Sequence, residues 1–185
     1  MSDRPRPTRV LQFIGDTDVV APHLAAMALH RALAVRGLEV RTLALAPGAH
    51  GGLEQDVPAI APGRRSFAAR GAARIESKWA DVVVVHGSRA LTIATLRPRW
   101  ASSPARVIAL WQSPDQDVAP GRSVGRRLLA DADRVVAANP AVAEQWSVLF
   151  GGLARIDVVR ADLEDARRPI VDGEAWSDLL VGTAQ

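Results

Sequence analysis

The sequence predicts an α/β protein: a doubly wound, mostly parallel Rossmann-like sheet of about six or seven strands with helices on both faces. Three observations carry this reading. Apolar, β-branched runs of strand length recur along the chain, Ala- and Leu-rich stretches with helical spacing separate most of them, and one run, Val82 to Val85, is four valines with no polar alternation. Strands that alternate with helices are joined by crossovers and so pair in parallel. A parallel strand covered by helices on both sides has no wet face, so the valine run belongs in mid-sheet.

In chain order, the strands are expected at 9–14 (RVLQFI), 39–45 (EVRTLAL), 81–86 (DVVVVH), 106–111 (RVIALW), 134–138 (RVVAA) and 156–160 (IDVVR). Helices are expected to begin near Pro22, Ser66, Ser88, Gly121 and Pro140. The first of them sets Leu24, Met27, Ala28 and Leu33 near one side and stops at Gly37, a residue suited to the left-handed cap. Residues 46–63 are rich in Gly and Pro and read as a mobile loop with one short strand at 57–60. Beyond Arg160 the pattern supports one short helix over 174–181 and no further strand. The organisation expected is a flexible head (1–8), one domain (9–165) and a tail with a short helix (166–185).

The bulk numbers agree with a single core. The chain has 185 residues, 48% hydrophobic and 23% charged, the balance of a globular protein. No apolar run reaches the roughly 18–20 residues of a bilayer span, and the polar head lacks a leader-like segment, so the expectation is a cytoplasmic protein with at most peripheral membrane contact. Cysteine is absent, which excludes disulfides, thiolate nucleophiles and sulfur-rich zinc sites. The net charge is only +3. The pI near 10.7 arises because Lys78 is the one lysine among 23 basic residues and arginine does not titrate in the ordinary range. The Arg doublets at 64–65, 126–127 and 167–168 have acids or apolar residues nearby and form no basic stripe, so no nucleic-acid partner is expected.

In an open parallel sheet, ligands bind beyond the carboxyl ends of the strands, where the following helices point their N-termini. The residues that fall there are Gly15 and Asp16 after the first strand, His86-Gly87-Ser88 after the third, Gln112 and Ser113 after the fourth, and Asn139 after the fifth. Glycine permits close approach of a ligand, and the others offer hydrogen bonds. Each also has a plain structural reading. Ser88 and Asn139 are good helix N-caps. His86 can bond a carbonyl at the strand end, and Asp16 and Asp18 can stabilise a helix N-terminus. His23 and His30 share a helix face but lack acids at metal-binding spacing, so no metal site is expected. Neither GxGxxG nor GxxxxGK[ST] is present, which removes the ordinary dinucleotide and P-loop readings.

Taken together, RVLQFIG, LHRALAVRGLEVRTLALAPG, WADVVVVHGSRAL, ARVIALWQSP, LLADADRVVAANPAVAEQW and RIDVVRADLED resemble, in order and spacing, the N-terminal domain of GT-B glycosyltransferases, in particular the family-4 group. The resemblance runs from about residue 9 to 165. It implies one GT-B lobe on the acceptor side of a retaining sugar transferase, whose second lobe binds the nucleotide-sugar donor; no other cofactor is implied. The family's diglycine loop, which approaches the donor diphosphate, would fall at Val20-Ala21, and neither is glycine. A histidine common in the family at the end of the fourth strand is replaced by Gln112, which cannot shuttle a proton. The interdomain turn reads VRADLED in place of the family's Asn-Gly turn.

Two functions follow from the resemblance. One is a transferase half that works with a separate donor-binding chain, or as a homo-oligomer, on a sugar or glycoconjugate acceptor. In that reading His86, Gly87, Ser88, Gln112 and Asn139 line the acceptor side, and Gly15 and Asp16 face the donor. The other is a non-catalytic module that binds or scaffolds. A third reading, an unrelated doubly wound protein that takes a nucleotide or flavin at the same rim, stays open because one fold hosts many functions. A protein that docks a partner lobe is expected to expose an apolar rim, with Trp111, Trp146 or Trp176 as anchors unless they are core residues.

Overall fold

The computed structural model describes residues 6–53, 55–63, 66–87, 90, 104–114, 132–152, 155–163, 165 and 168–184. Six parallel strands form one sheet: β1 (Arg9–Ile14), β2 (Glu39–Ala44), β3 (Val82–His86), β4 (Ala105–Leu110), β5 (Arg134–Ala137) and β6 (Ile156–Val158). Their order is β2-β1-β3-β4-β5-β6. All six predicted strands are present, and the strand count falls within the expected range. The chain reverses direction across the sheet between β1 and β3, so the crevice rule points to their carboxyl ends.

Alternation along the strands sorts the core into two faces. Val10, Val82, Val84, Val107 and Ala109 pack against α1 (Ala21–Val35) and α4 (Gly173–Thr183). Leu11, Phe13, Val83, Val85, Ile108 and Leu110 face the other way, toward α2 (Phe67–Ser77) and α3 (Pro140–Leu149). Every residue of β3 is buried, as its valine run requires.

Helix α1 buries Ala25, Leu29 and Leu33 against the sheet, while Leu24 and Met27 pack half-buried beside Ile14, Leu53 and Val57. The core stripe therefore sits one residue round from the position that Leu24 and Met27 suggest. It ends as expected at Gly37 (φ 83°), where the Leu38 amide closes on Leu33 O. The expected helix at Ser66 is α2, with the serine as its cap, and the one at Pro140 is α3. The helices expected at Ser88 and Gly121 lie outside the described residues.

Two expectations are corrected. The segment after Arg160 does carry strands: β7 (Ala161–Asp162) and β8 (Ile170–Val171) form an antiparallel ladder that leads into α4. Two-residue strands leave no periodicity to read. Helix α4, capped by Asp172, then lays Trp176 and Leu180 onto the α1 face of the core. It seats closely: a Cβ on Gly173 would stand 2.7 Å from the Ala32 Cβ. The second correction concerns 46–53, read as loose. Its amides are held by the β1–α1 loop, through Gly48 N–H on Thr17 Oγ1 (2.8 Å) and His50 and Gly51 N–H on Asp18 Oδ1 (2.7 and 2.9 Å). Leu53 and Val57 are buried. Of the strand expected at 57–60, a bridge between Ala44 and Ala59 is formed.

The His50 amide, ahead of those of Gly51 and Ala49, holds the Asp18 carboxyl below its usual range against the opposing effect of burial. Asp18 thus clasps the loop and does not serve the α1 N-terminus, whose first turn contains no acid and whose Val20 cap makes no side-chain bond. Gly48 is the contact point, since a Cβ there would meet Asp18 Oδ1 and N at 2.3 and 2.5 Å. Gly48→Ala is expected to cost about 1–3 kcal/mol through this overlap. Denaturant midpoints and amide exchange check it: His50 and Gly51 should exchange faster in the variant, and unchanged protection at both would contradict the clasp.

No helix among the described residues is long and apolar enough to cross a membrane.

Candidate functional site

The carboxyl rim of the sheet separates the predicted site residues into two groups. Gly15, Asp16, His86 and Gly87 meet at the β1/β3 reversal and are buried there. Gln112, Ser113 and Asn139 line an open cleft of about 720 Å³ farther along, beyond β4, β5 and β6. Ser88 lies outside the described residues.

The buried group is built around His86. Trp111, one residue past β4, donates its indole Nε1–H to His86 Nδ1 at 2.8 Å. The two rings are within 3° of coplanar with centroids 5.6 Å apart, so they meet edge to edge, as an in-plane hydrogen bond requires. This bond makes Nδ1 the acceptor and leaves the proton on Nε2. Burial, with a smaller push from His23, lowers the pKa of His86 to about 3, so the ring is neutral at physiological pH. Its Nε2 is buried and has no hydrogen-bond partner among the described residues. The carbonyl bond considered for His86 is therefore replaced by the Trp111 bond.

The β1–α1 loop closes over this corner. His23 Nδ1–H donates to Asp18 O at 2.7 Å and stands 3.7 Å from Asp16 Oδ1. Asp16 Oδ1 also accepts the Asp18 amide at 3.3 Å, a turn of the loop upon itself. Gly87 takes φ 67°, the left-handed conformation that favours glycine at the abrupt strand exit. His23 and His30 serve different partners, for His30 Nδ1 lies 2.9 Å from Thr42 Oγ1. Among the described residues no group of three or more His, Asp or Glu side chains is arranged to hold a metal ion.

The cleft has a floor and two walls. Trp111, 2% exposed, lies at its floor. Gln112 and Ser113 follow it, and Trp146 of α3 donates its Nε1–H to Gln112 O at 2.7 Å, which fixes the backbone of that turn. Asn139 caps α3 by accepting the Val142 amide on Oδ1 at 2.9 Å, so its carbonyl oxygen is committed and its amide nitrogen is the group left to serve a ligand. Sequence reasoning missed the opposite lining: Gln145 from the middle of α3, Ala21 at the start of α1, and Asp162 and Leu163 from the β7 edge. The helical position of Gln145, six residues after the Asn139 cap, was the available signal; nothing in the pattern around 161–163 distinguishes it from a linker.

The three tryptophans, read from the sequence either as partner anchors or as core residues, are core residues. Trp111, Trp146 and Trp176 are each at most 2% exposed. Trp111 and Trp176 pack at 35° with centroids 5.7 Å apart, and Trp146 lies against Phe150. Their large apolar surface is used within the lobe.

The fold and site define a Rossmann-like α/β lobe with a polar, open rim cleft. No protein-family model matches the sequence, and no curated protein matches it. Among solved structures the chain is similar to a provisionally described UDP-N-acetylglucosamine 2-epimerase from Listeria monocytogenes, a GT-B-like fold, with a TM-score of 0.54 and 14% identity. The match covers 84% of this chain and 45% of that one, so the chain spans less than half the length of its structural neighbour. At this identity the likeness concerns the fold.

Proposed function

We propose that this lobe is the acceptor side of a family-4-like, GT-B sugar transferase and works with a donor-binding lobe on a separate chain. The observation that carries the proposal is the cleft itself. It lies at the carboxyl rim, it is open on one side, and Gln112, Ser113, Asn139, Gln145 and Asp162 give it the mixed donors and acceptors that a polyhydroxylated ligand needs. Stabilising a departing nucleoside diphosphate calls for N–H groups or cations on the opposing side and for exclusion of water. An opposing lobe would supply both.

A second reading, a non-catalytic sugar-binding module, is favoured by one specific feature. The histidine at the β3 end is buried and neutral, and the β4 end offers Gln112, so neither position supplies a base.

Calorimetric titration tests the binding role shared by both readings. Neutral oligosaccharides or glycoconjugates should bind the isolated protein, and Gln112→Ala and Gln145→Ala should each weaken binding about 2- to 10-fold, the worth of one hydrogen bond. The isolated protein should release no nucleotide from a panel of nucleotide sugars. Turnover by the protein alone would defeat the separate-lobe reading, and tight binding of a flavin or free nucleotide in place of sugars would defeat both.

A further inference from the structure

Helix α2 inverts the usual distribution of a helix laid on a sheet. Only the small Ala69 and Ala73 are buried, while Phe67 is 89% exposed and Ile75 66%. An ordinary surface helix turns its large apolar side chains inward, where burial stabilises them. Here the outward face holds them.

That face is ordered into two neighbouring rows of residues four apart, the ridges along which helices pack. One row is apolar: Phe67, Gly71 and Ile75, with the half-buried Trp79 next in line past the helix end. A Cβ built on Gly71 would meet nothing within 4 Å, so the glycine is an open notch between two projecting side chains. Those side chains start about 12 Å apart along the helix axis. The other row is cationic: Arg70, Arg74 and Lys78, all exposed. The Arg70 guanidinium lies 5.7 Å from the Phe67 ring centroid, which sets the rows side by side, and Arg41 of β2 lies over Trp79 at 4.0 Å. Among the described residues Arg41, Arg70, Arg74 and Lys78 have no ion-pair partner, for Glu39 and Asp81 serve Arg9 and Arg6. The acid of α2, Glu76, is half-buried and falls on the far side of the helix from the cation row.

We propose that the outer face of α2 is the docking site of an acidic amphipathic helix of a protein partner. An apolar side chain of that helix enters the Gly71 notch between Phe67 and Ile75, and carboxylates one turn apart meet Arg70, Arg74 and Lys78. Charge and shape together select this occupant. A second copy of the same face would oppose cations to cations. A lipid surface is served by an unbroken apolar stripe and makes no use of a notch, whereas a glycine, which weakens a helix interior, permits close approach of another chain. The face belongs to the α2 side of the sheet and none of its residues lines the rim cleft, so the inference stands independently of the sugar reading.

Fluorescence anisotropy on the full chain tests the proposal. The probe is a labelled synthetic helix of about 20 residues, long enough to form in isolation, with leucines along one row and glutamates along the next. It should bind saturably, and added salt should weaken the complex. The same peptide with lysine in place of each glutamate should not bind. Phe67→Ser, and Arg74→Glu combined with Lys78→Glu, should each weaken binding about ten-fold or more. Gly71→Leu fills the notch and should weaken binding as much while raising Tm, since leucine is the better helix former. That rise separates loss of the notch from loss of the fold. Vesicles of phosphatidylcholine and phosphatidylglycerol in equal parts should sediment no protein. Failure of the glutamate peptide to bind, equal binding of both peptides, undiminished binding by Gly71→Leu, or co-sedimentation with the vesicles would each overturn the assignment.

Discussion

Acidification below pH 6.5 is expected to unfold this protein progressively, with His86 as a principal cause. The group has a pKa of about 3 in the folded chain and an ordinary value near 6.5 when unfolded. Between these values the unfolded state binds the extra proton, so stability rises with pH across the window and is lost as pH falls through it. The slope for one such group is about 1.4 kcal/mol per pH unit, and the loss across the window is on the order of 4 kcal/mol. That is a large share of the roughly 5–15 kcal/mol of an ordinary domain. His30 acts with the same sign, since burial and then the Arg31 charge lower its pKa. Asp18 adds to the loss only at lower pH, where its clasping carboxylate becomes protonated.

Denaturant titrations from pH 7.5 to 4 measure the slope, and His86→Asn isolates the residue. The Asn Oδ1 can stand in for Nδ1 as acceptor of the Trp111 bond, while the titrating ring is gone. The variant should keep the smaller slope due to His30 and lose about one proton's worth of pH dependence. Identical slopes in the two proteins would mean that His86 is not the buried neutral group described above.

The second large effect is expected at Trp111. Its ring touches His86 on one edge, Trp176 on another side, and the cleft above. Trp111→Ala should cost about 3–5 kcal/mol, the usual range for an aromatic removed from a close-packed core. Trp111→Phe keeps most of the volume but leaves His86 Nδ1 without its donor. It should cost about 1–3 kcal/mol as an unsatisfied buried group, and the His86 ring should then sample both tautomers in nitrogen-detected spectra. A Phe variant as stable as the parent, with His86 still in one tautomer, would show that the indole N–H does not set the ring.

The sheet was legible because its strands carry their own signal. Each of the six runs is apolar and β-branched over a strand's length, and β3 announces its mid-sheet position by lacking any polar alternation. The cleft was half legible. Gln112, Ser113 and Asn139 follow directly from the rule that strand ends bear the site, but Asp162 and Leu163 reach it through a two-residue strand that leaves no period in the sequence. The fate of His86 could not be read locally, because the residue that fixes its tautomer lies 25 positions away on another strand. Asp18 misled for a similar reason. A carboxylate just ahead of a helix suggests a charge on the helix dipole, yet its partners are amides more than 30 residues farther along.

The seat of α4 on α1 bears on how the protein is made. The α1 face of the sheet is sealed by Trp176 and Leu180, which leave the ribosome long after the strands they cover. Until residue 180 or so has emerged, Val10, Leu29 and their neighbours form a greasy, half-covered surface on the nascent polypeptide. Chaperones that recognise such surfaces would meet this nascent segment until α4 emerges, and the docking of α4 would release it.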